Sequence, residues 1–169
     1  MTVSIEKEPF TEALFAQMLP LARKCWHEST EAKGTSCAFY GERDFEIMPN
    51  LEKFLELHKA GAMLVITVRD GGTLVGYVEG FTYRSLHHKD ILGGIGDVMY
   101  LEPPYRTYAA VLVARFEEEM TALGAAIIGW PTTAHGPVYR ILEARGFVGD
   151  DIVMEKRLNK DTSCALPPP

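Results

Sequence analysis

The chain has 169 residues, 17 basic and 23 acidic side chains, a formal net charge of −6 and 47% hydrophobic residues. That is about one domain's length, apolar enough to fold without a disulfide or metal and too apolar to be disordered. The acidic balance argues against gripping nucleic acid through its phosphates, and no apolar run approaches the roughly 20 residues that span a bilayer.

Residues 3–8 read as a short strand. Phe10 and Phe15 bracket Thr11 as a hydrophobic staple around an N-cap. The helix it opens carries two apolar stripes, Leu14, Met18, Leu21, Cys25 and Phe15, Leu19, Ala22, Trp26. Pro20 falls inside that pattern and predicts a kink. Over residues 30–48 the period lapses into a polar loop carrying Phe39, Tyr40 and Phe45, and a loop of that length points to function. Asn50 caps a second helix with Leu51, Phe54, Leu55 and His58 on one face, which Gly61 stops.

The period then changes to that of strands. Residues 63–68 and 74–83 flank the turn sequence Asp70-Gly71-Gly72 and predict a hairpin. A connection through His87, His88, Gly93 and Gly94 leads to a strand over 95–101. From about Tyr105 a helix presents Leu112, Phe116, Met120 and Leu123 and ends at Gly124. A strand over 125–130, a helix from Pro137 to Gly146 and a strand over 152–158 complete the order βααβββαβαβ. This is a mixed α/β domain spanning 1–158 around one central sheet. Residues 159–169, which end in three prolines, read as a mobile tail.

The three cysteines Cys25, Cys37 and Cys164 leave one unpaired, so no disulfide framework and a reducing, cytoplasmic setting are expected. The first ten residues carry Glu6, Lys7 and Glu8 and no apolar stretch, so no secretory signal is expected there. No metal site is expected either: Cys25, His27 and Cys37 match no common zinc spacing.

Several short segments carry a resemblance. Asp70-Gly71-Gly72-Thr73-Leu74-Val75-Gly76-Tyr77, Leu101-Glu102-Pro103-Pro104-Tyr105-Arg106, Arg140 to Phe147 with its Gly146-Phe147 ending, and Met154-Glu155-Lys156-Arg157-Leu158 follow one another in a set order. They resemble the GNAT superfamily of acetyl-CoA-dependent N-acetyltransferases over residues 62–158, and the earlier residues match it by element order alone. The resemblance implies a GNAT-like, mostly antiparallel central sheet flanked by helices, with two adjacent strands splayed to admit the cofactor's pantetheine arm. It implies acetyl-CoA as co-substrate, a small-molecule or peptide amine as acceptor, and a homodimer pairing near Trp130. Transfer to a nucleic-acid base amine is a third reading, which the net charge disfavours.

In the family, a Q/R-x-x-G-x-G/A segment after the fourth strand offers backbone amides to the pyrophosphate. The resemblance assigns that role to Leu101, Arg106, Thr107, Tyr108, Ala109 and Ala110. This chain departs there, because Ala109 and Val111, or in a shifted register Thr107 and Ala109, replace the two glycines. A GNAT-fold binding or inhibitory module that has lost the cofactor is therefore the alternative to an enzyme. His135 stands near the family's asparagine that contacts the cofactor arm, and a capping role competes with that reading.

Acyl transfer needs a base for the amine and an acid for the departing thiolate. Leu142 occupies the family's tyrosine position, so the acid candidate moves to Tyr139, which could equally pack or touch pantetheine. For the base, Asp97 and Glu79 stand inside strand patterns, where carboxylates are depleted. Asp97 alternates with Ile95, Met99 and Leu101, which predicts a half-buried carboxyl among apolar neighbours. Glu79, between Val78 and Gly80, is expected to face water, and Glu102 at the strand end reads as structural.

Overall fold

The structure is a computed structural model that describes residues 2–33, 47–132 and 136–149, with residues 30–33 described in backbone only. The elements in chain order are β1 (Val3–Lys7), α1 (Glu12–Lys33), α2 (Leu51–Lys59), β2 (Met63–Asp70), β3 (Thr73–Arg84), β4 (Leu92–Leu101), a 3-10 turn (Pro103–Tyr108), α3 (Ala109–Ala122), β5 (Ile127–Gly129) and α4 (Pro137–Ala144). The strands form one sheet in the order β1-β2-β3-β4-β5. Each neighbour is antiparallel except β4 and β5, which run parallel. The predicted strand over 152–158 and the tail lie outside the described residues, as does most of the 30–48 loop.

Local chemistry sets these elements. The Thr11 hydroxyl accepts the Leu14 N–H at 3.1 Å, and the Phe10 and Phe15 rings meet edge to face at 6.1 Å, so the predicted cap and staple both form. α1 continues through Pro20, which lies on the exposed face beside exposed Ala16. The carbonyl that loses its partner there borders water. The Asn50 side chain accepts the Lys53 N–H at 3.0 Å. Gly71 and Gly72 both take positive φ, as a tight strand-to-strand turn requires.

Three boundaries differ from expectation, the first being β5, which covers Ile127–Gly129 rather than 125–130. β4 begins at Leu92 rather than 95, because Gly93 and Gly94 are strand residues. A Cβ on Gly93 would meet the Tyr83 ring at 2.5 Å, so glycine there lets the cross-strand tyrosine lie flat. The segment after β4 is a 3-10 turn from Pro103 before α3 begins at Ala109, since the two prolines supply helical φ without needing an N–H partner.

Alternate residues of the strands feed two cores. On one face Leu64, Ile66, Val68, Val78 and Leu101 pack against Leu112, Phe116 and Met120 of α3. On the other Met63, Val65, Tyr77 and Tyr100 pack against Phe10, Leu14, Met18 and Leu21 at the start of α1, with Phe54 of α2 alongside. α4 docks outside α3, where Arg145 makes a two-pronged ion pair with Glu117 at 2.7 Å.

Candidate functional site

The register of β3 against β4 places the two candidate carboxylates. Glu79 pairs with Val98 and Gly80 with Gly96, so Asp97 is the extra residue of a β-bulge. A bulge puts two successive residues on one face. Asp97 therefore leaves the face of Met99 and Leu101 and joins Val98 on the side of Tyr77 and Glu79. This corrects the strict alternation expected for Asp97, and it buries Glu79, which was expected to face water. Glu79 is 6% exposed, whereas Asp97 lies at the surface. Glu79 is two residues from Tyr77 on a regular strand, and Tyr77 is 1% exposed. Reading Tyr77 as a core residue is the sequence signal that would have buried Glu79.

A small cleft of about 20 Å³ opens over Glu79. Phe15, Met18, Leu19 and Ala22 of α1 form one wall, Pro49 and Phe54 at the start of α2 another, and Tyr77 and Glu79 the floor. Phe15 and Phe54 stand 6.2 Å apart, with Phe10 stacked behind Phe54 at 5.5 Å. No hydrogen bond or ion pair to the Glu79 carboxyl occurs among the described residues. Burial, and secondarily the charge of Asp97, raises its pKa to about 8. Partial desolvation of the Asp97 carboxyl also raises its pKa above the usual carboxylate range, although the residue reaches the surface. The Tyr77 hydroxyl is held protonated by burial, with the charges of Glu79, Cys25 and Asp97 adding to the effect.

A second feature lies along β4. It pairs with β5 only from Gly93 to Ile95, so from Gly96 to Leu101 its outer edge has no strand partner among the described residues. Such an edge can bind an extended chain through its backbone. Trp130 closes the inner end of the gap: its ring packs on Phe116 at 5.0 Å, and a Cβ on Gly96 would meet it at 2.7 Å.

The other end leads to the 3-10 turn. The Arg106 guanidinium donates to Glu28 of α1 at 2.6 Å and to the Leu101 carbonyl at 3.3 Å. Glu28 also accepts the Tyr100 hydroxyl at 3.1 Å, and Lys24 pairs with Glu102 beside it. The Tyr105 hydroxyl donates to Asp70 at 2.7 Å. The Tyr105 and Ala109 N–H groups already donate to the Glu102 and Arg106 carbonyls. Thr107 and Ala110 are exposed, Tyr108 and Ala109 half-buried, and Leu101 is packed into the α3-side core.

The candidates thus separate. Glu79 and Asp97 come together on the α1 side of the sheet. Tyr139 is half-buried on α4, which packs on α3, and its hydroxyl runs close to Gly149. Leu142 is buried and supplies no acid. His135 lies outside the described residues. The cleft walls from α1 and α2 and the Glu28–Arg106 pair were not foreseen, because residues far apart in sequence build them.

No family model matches the sequence, and no curated protein matches it. Solved structures do match in shape. An aminoglycoside acetyltransferase from an uncultured soil metagenomic sample superposes with a TM-score of 0.68 at 12% identity, covering 94% of this chain and 100% of that one. The "predicted acetyltransferase with acetyl-CoA" from Clostridium acetobutylicum gives 0.67 at 14% identity, over 93% and 97% of the two chains. AAC(6')-Iy in complex with the bisubstrate analogue CoA-S-monomethyl-acetylneamine gives 0.65 at 13% identity, over 94% and 99%. At 12–14% identity these matches rest on shape and not on sequence: the chain has the GNAT fold of these acetyltransferases, here as five mostly antiparallel strands with a parallel β4–β5 pair and helices on both faces.

Proposed function

We propose that the protein is an acyl-CoA-dependent N-acyltransferase for a small amine, with Glu79 as the group that takes the amine's proton. The observation that carries this reading is a buried carboxyl that has no hydrogen bond or ion pair among the described residues, at the floor of a cleft and one strand away from a β4 edge that no described strand covers. Acetyl-CoA supplies an acyl group activated as a thioester. The backbone of Gly96 to Leu101 would hold its pantetheine arm, and the first turn of α3 with Arg106 its pyrophosphate. Glu79 accepts a proton as the amine nitrogen forms its bond to the acyl carbon, and a base with a pKa near working pH suits that task. Asp97 at the bulge supports the same proton path. We assign the proton for the departing thiolate to Tyr139.

The test is CoA release from acetyl-CoA in the presence of an amine panel. Wild type should turn over, with kcat falling below about pH 8 as Glu79 protonates. Glu79→Gln should lose roughly 10²–10⁴-fold in kcat, the usual worth of a general base. Wild type without detectable acetyl-CoA binding at millimolar concentration overturns the enzyme reading.

One observation favours a second reading, a GNAT-fold binding or inhibitory module. At the phosphate end the family glycines are replaced, the Ala109 N–H is already bonded within the turn, and Arg106 is held by Glu28. Calorimetric titration with acetyl-CoA and with CoA separates the two: a module of this kind binds neither.

A further inference from the structure

We infer that the second half of α1 is a latch on the outer edge of β4: Lys24, Cys25 and Glu28 hold the end of that strand and Arg106 in the free protein, and acetyl-CoA must displace them to bind. The inference rests on reading this edge as the cofactor's, and it adds a regulatory contact to that site. The direction of the strand's polar groups is the first argument. The Glu102 N–H donates to the Val75 carbonyl at 2.9 Å, so Glu102 faces β3. The register is regular from Gly76–Leu101 to Val78–Met99, and the backbone groups of an antiparallel pair alternate sides residue by residue. Leu101 and Met99 therefore turn their N–H and C=O groups outward, to the edge that no described strand covers.

The second argument is what those outward groups touch. The Cys25 thiol donates to the Met99 carbonyl at 3.7 Å, and Arg106 Nε donates to the Leu101 carbonyl at 3.3 Å. Arg106 is itself held by Glu28, which also accepts the Tyr100 hydroxyl, and Lys24 pairs with Glu102. Each residue from Met99 to Glu102 is thus tied to α1, directly or through Arg106. A pantetheine arm added along this edge would meet side chains at both outward carbonyls, and its pyrophosphate would need the guanidinium that Glu28 holds. The third argument is that these ties can open. Among the described side chains of α1 the buried ones, Leu14, Met18, Leu21 and Ala22, end before Lys24. Lys24 and Glu28 reach solvent and Cys25 is half-buried. Exposed ion pairs and thiol hydrogen bonds are individually weak, so residues 24–28 can lift while the first half of the helix stays in the core. Such a latch lowers apparent cofactor affinity in proportion to the open fraction.

The test pairs hydrogen–deuterium exchange on the full chain with calorimetric titration, both with acetyl-CoA under reducing conditions. In wild type, saturating acetyl-CoA should speed amide exchange over residues 24–29 about threefold or more while slowing that of β4, because a ligand that opens the latch must loosen what the latch held. That measurement needs no substitution. The double variant Cys25→Ala/Glu28→Gln should bind acetyl-CoA about tenfold tighter than wild type, with its helicity intact. Wild type that binds acetyl-CoA with residues 24–29 protected or unchanged overturns the latch and leaves the acyltransferase reading intact. So does a folded variant that binds no tighter. Binding by the variant alone would uphold the latch and overturn the enzyme reading for the natural chain. Binding by neither protein overturns both.

Discussion

Neighbouring residues of β2 and β3 go to opposite sides of one sheet and into different environments. On the α3 side Leu64, Ile66, Val68 and Val78 meet Leu112, Phe116 and Met120, and among the described residues no polar side chain is buried with them. On the α1 side the same strands supply Met63, Val65, Thr67, Tyr77 and Glu79, with hydroxyls and a carboxyl under a cleft that packing leaves open. The first arrangement maximises apolar burial. The second keeps a desolvated carboxyl, a group that opposes folding whenever it is charged. Division of labour follows: the α3 face holds the sheet together, and the α1 face carries the carboxyl to which we assign the chemistry.

The largest effects should come from the α3 face. Phe116→Ala removes a fully buried ring that also supports Trp130 and should cost about 3–5 kcal/mol by urea denaturation. Phe54→Ala, at the half-buried cleft wall, should cost only roughly 1–2 kcal/mol. Equal losses would break the contrast between a packed face and an open one.

Much of the contrast was readable in the sequence. The periods of α1, β2, β3 and α3, the Thr11 and Asn50 caps and the Asp70-Gly71-Gly72 turn are local signals, and local chemistry decides them. Alternation along β3 was sufficient too, had Tyr77 been weighed as core. The bulge at Asp97 was not readable, because it depends on how β4 pairs with β3 rather than on β4 itself. The cleft was equally hidden. Its walls come from α1, α2 and β3, and nothing in the spacing of Phe15, Phe54 and Glu79 brings them together.

The next effect in size concerns Glu79. Its pKa is about 8 in the folded protein against an ordinary 4.5, so the folded state holds a proton that the unfolded state releases across that window. Stability should therefore be greatest below about pH 4.5 as far as this group is concerned, and decline as pH rises to about 8. Glu79→Gln should abolish that decline. The two proteins should match below about pH 4 and differ by a few kcal/mol at pH 9 in favour of the variant. Parallel stability curves across that range would mean that the Glu79 carboxyl is hydrated rather than buried.

A smaller effect belongs to the rim of the α1 face. Glu8 accepts two hydrogen bonds from Arg69, at 2.6 and 3.0 Å, and one from the Thr67 hydroxyl. The Arg69 guanidinium holds the Glu8 carboxyl below its usual range. This carboxylate, unlike Glu79, favours the folded state when charged, so its contribution is present at neutral pH and lost in acid. Glu8→Gln should cost about 1–2 kcal/mol at pH 7 and nothing measurable once both proteins are in acid below that carboxyl's folded pKa. Two carboxylates on one face would then show opposite pH slopes, one favouring the folded state when charged and one opposing it.

The smallest stability effect is expected at Glu28, and it sharpens the division of labour most. Glu28 and Arg106 are each about half exposed, at 48% and 51% of their side-chain surface, so their 2.6 Å pair faces competition from water and salt. Exposed pairs contribute about 0–1 kcal/mol, and Glu28→Gln should change stability by no more than that. Its effect on cofactor binding should be larger. If Arg106 serves the pyrophosphate, it must leave Glu28 to do so, and the carboxylate competes with the phosphate for the same guanidinium. Removing that competitor should tighten acetyl-CoA binding several-fold, while Arg106→Ala should weaken it by roughly 1–3 kcal/mol, the range for a charge-assisted hydrogen bond. Calorimetry on both variants at two salt concentrations checks this, because a phosphate contact through Arg106 makes wild-type affinity fall with salt more steeply than that of the alanine variant. Unchanged affinity in both would assign the Glu28–Arg106 pair to anchoring α1 against the 3-10 turn, and would leave the backbone edge of β4 as the site of cofactor recognition.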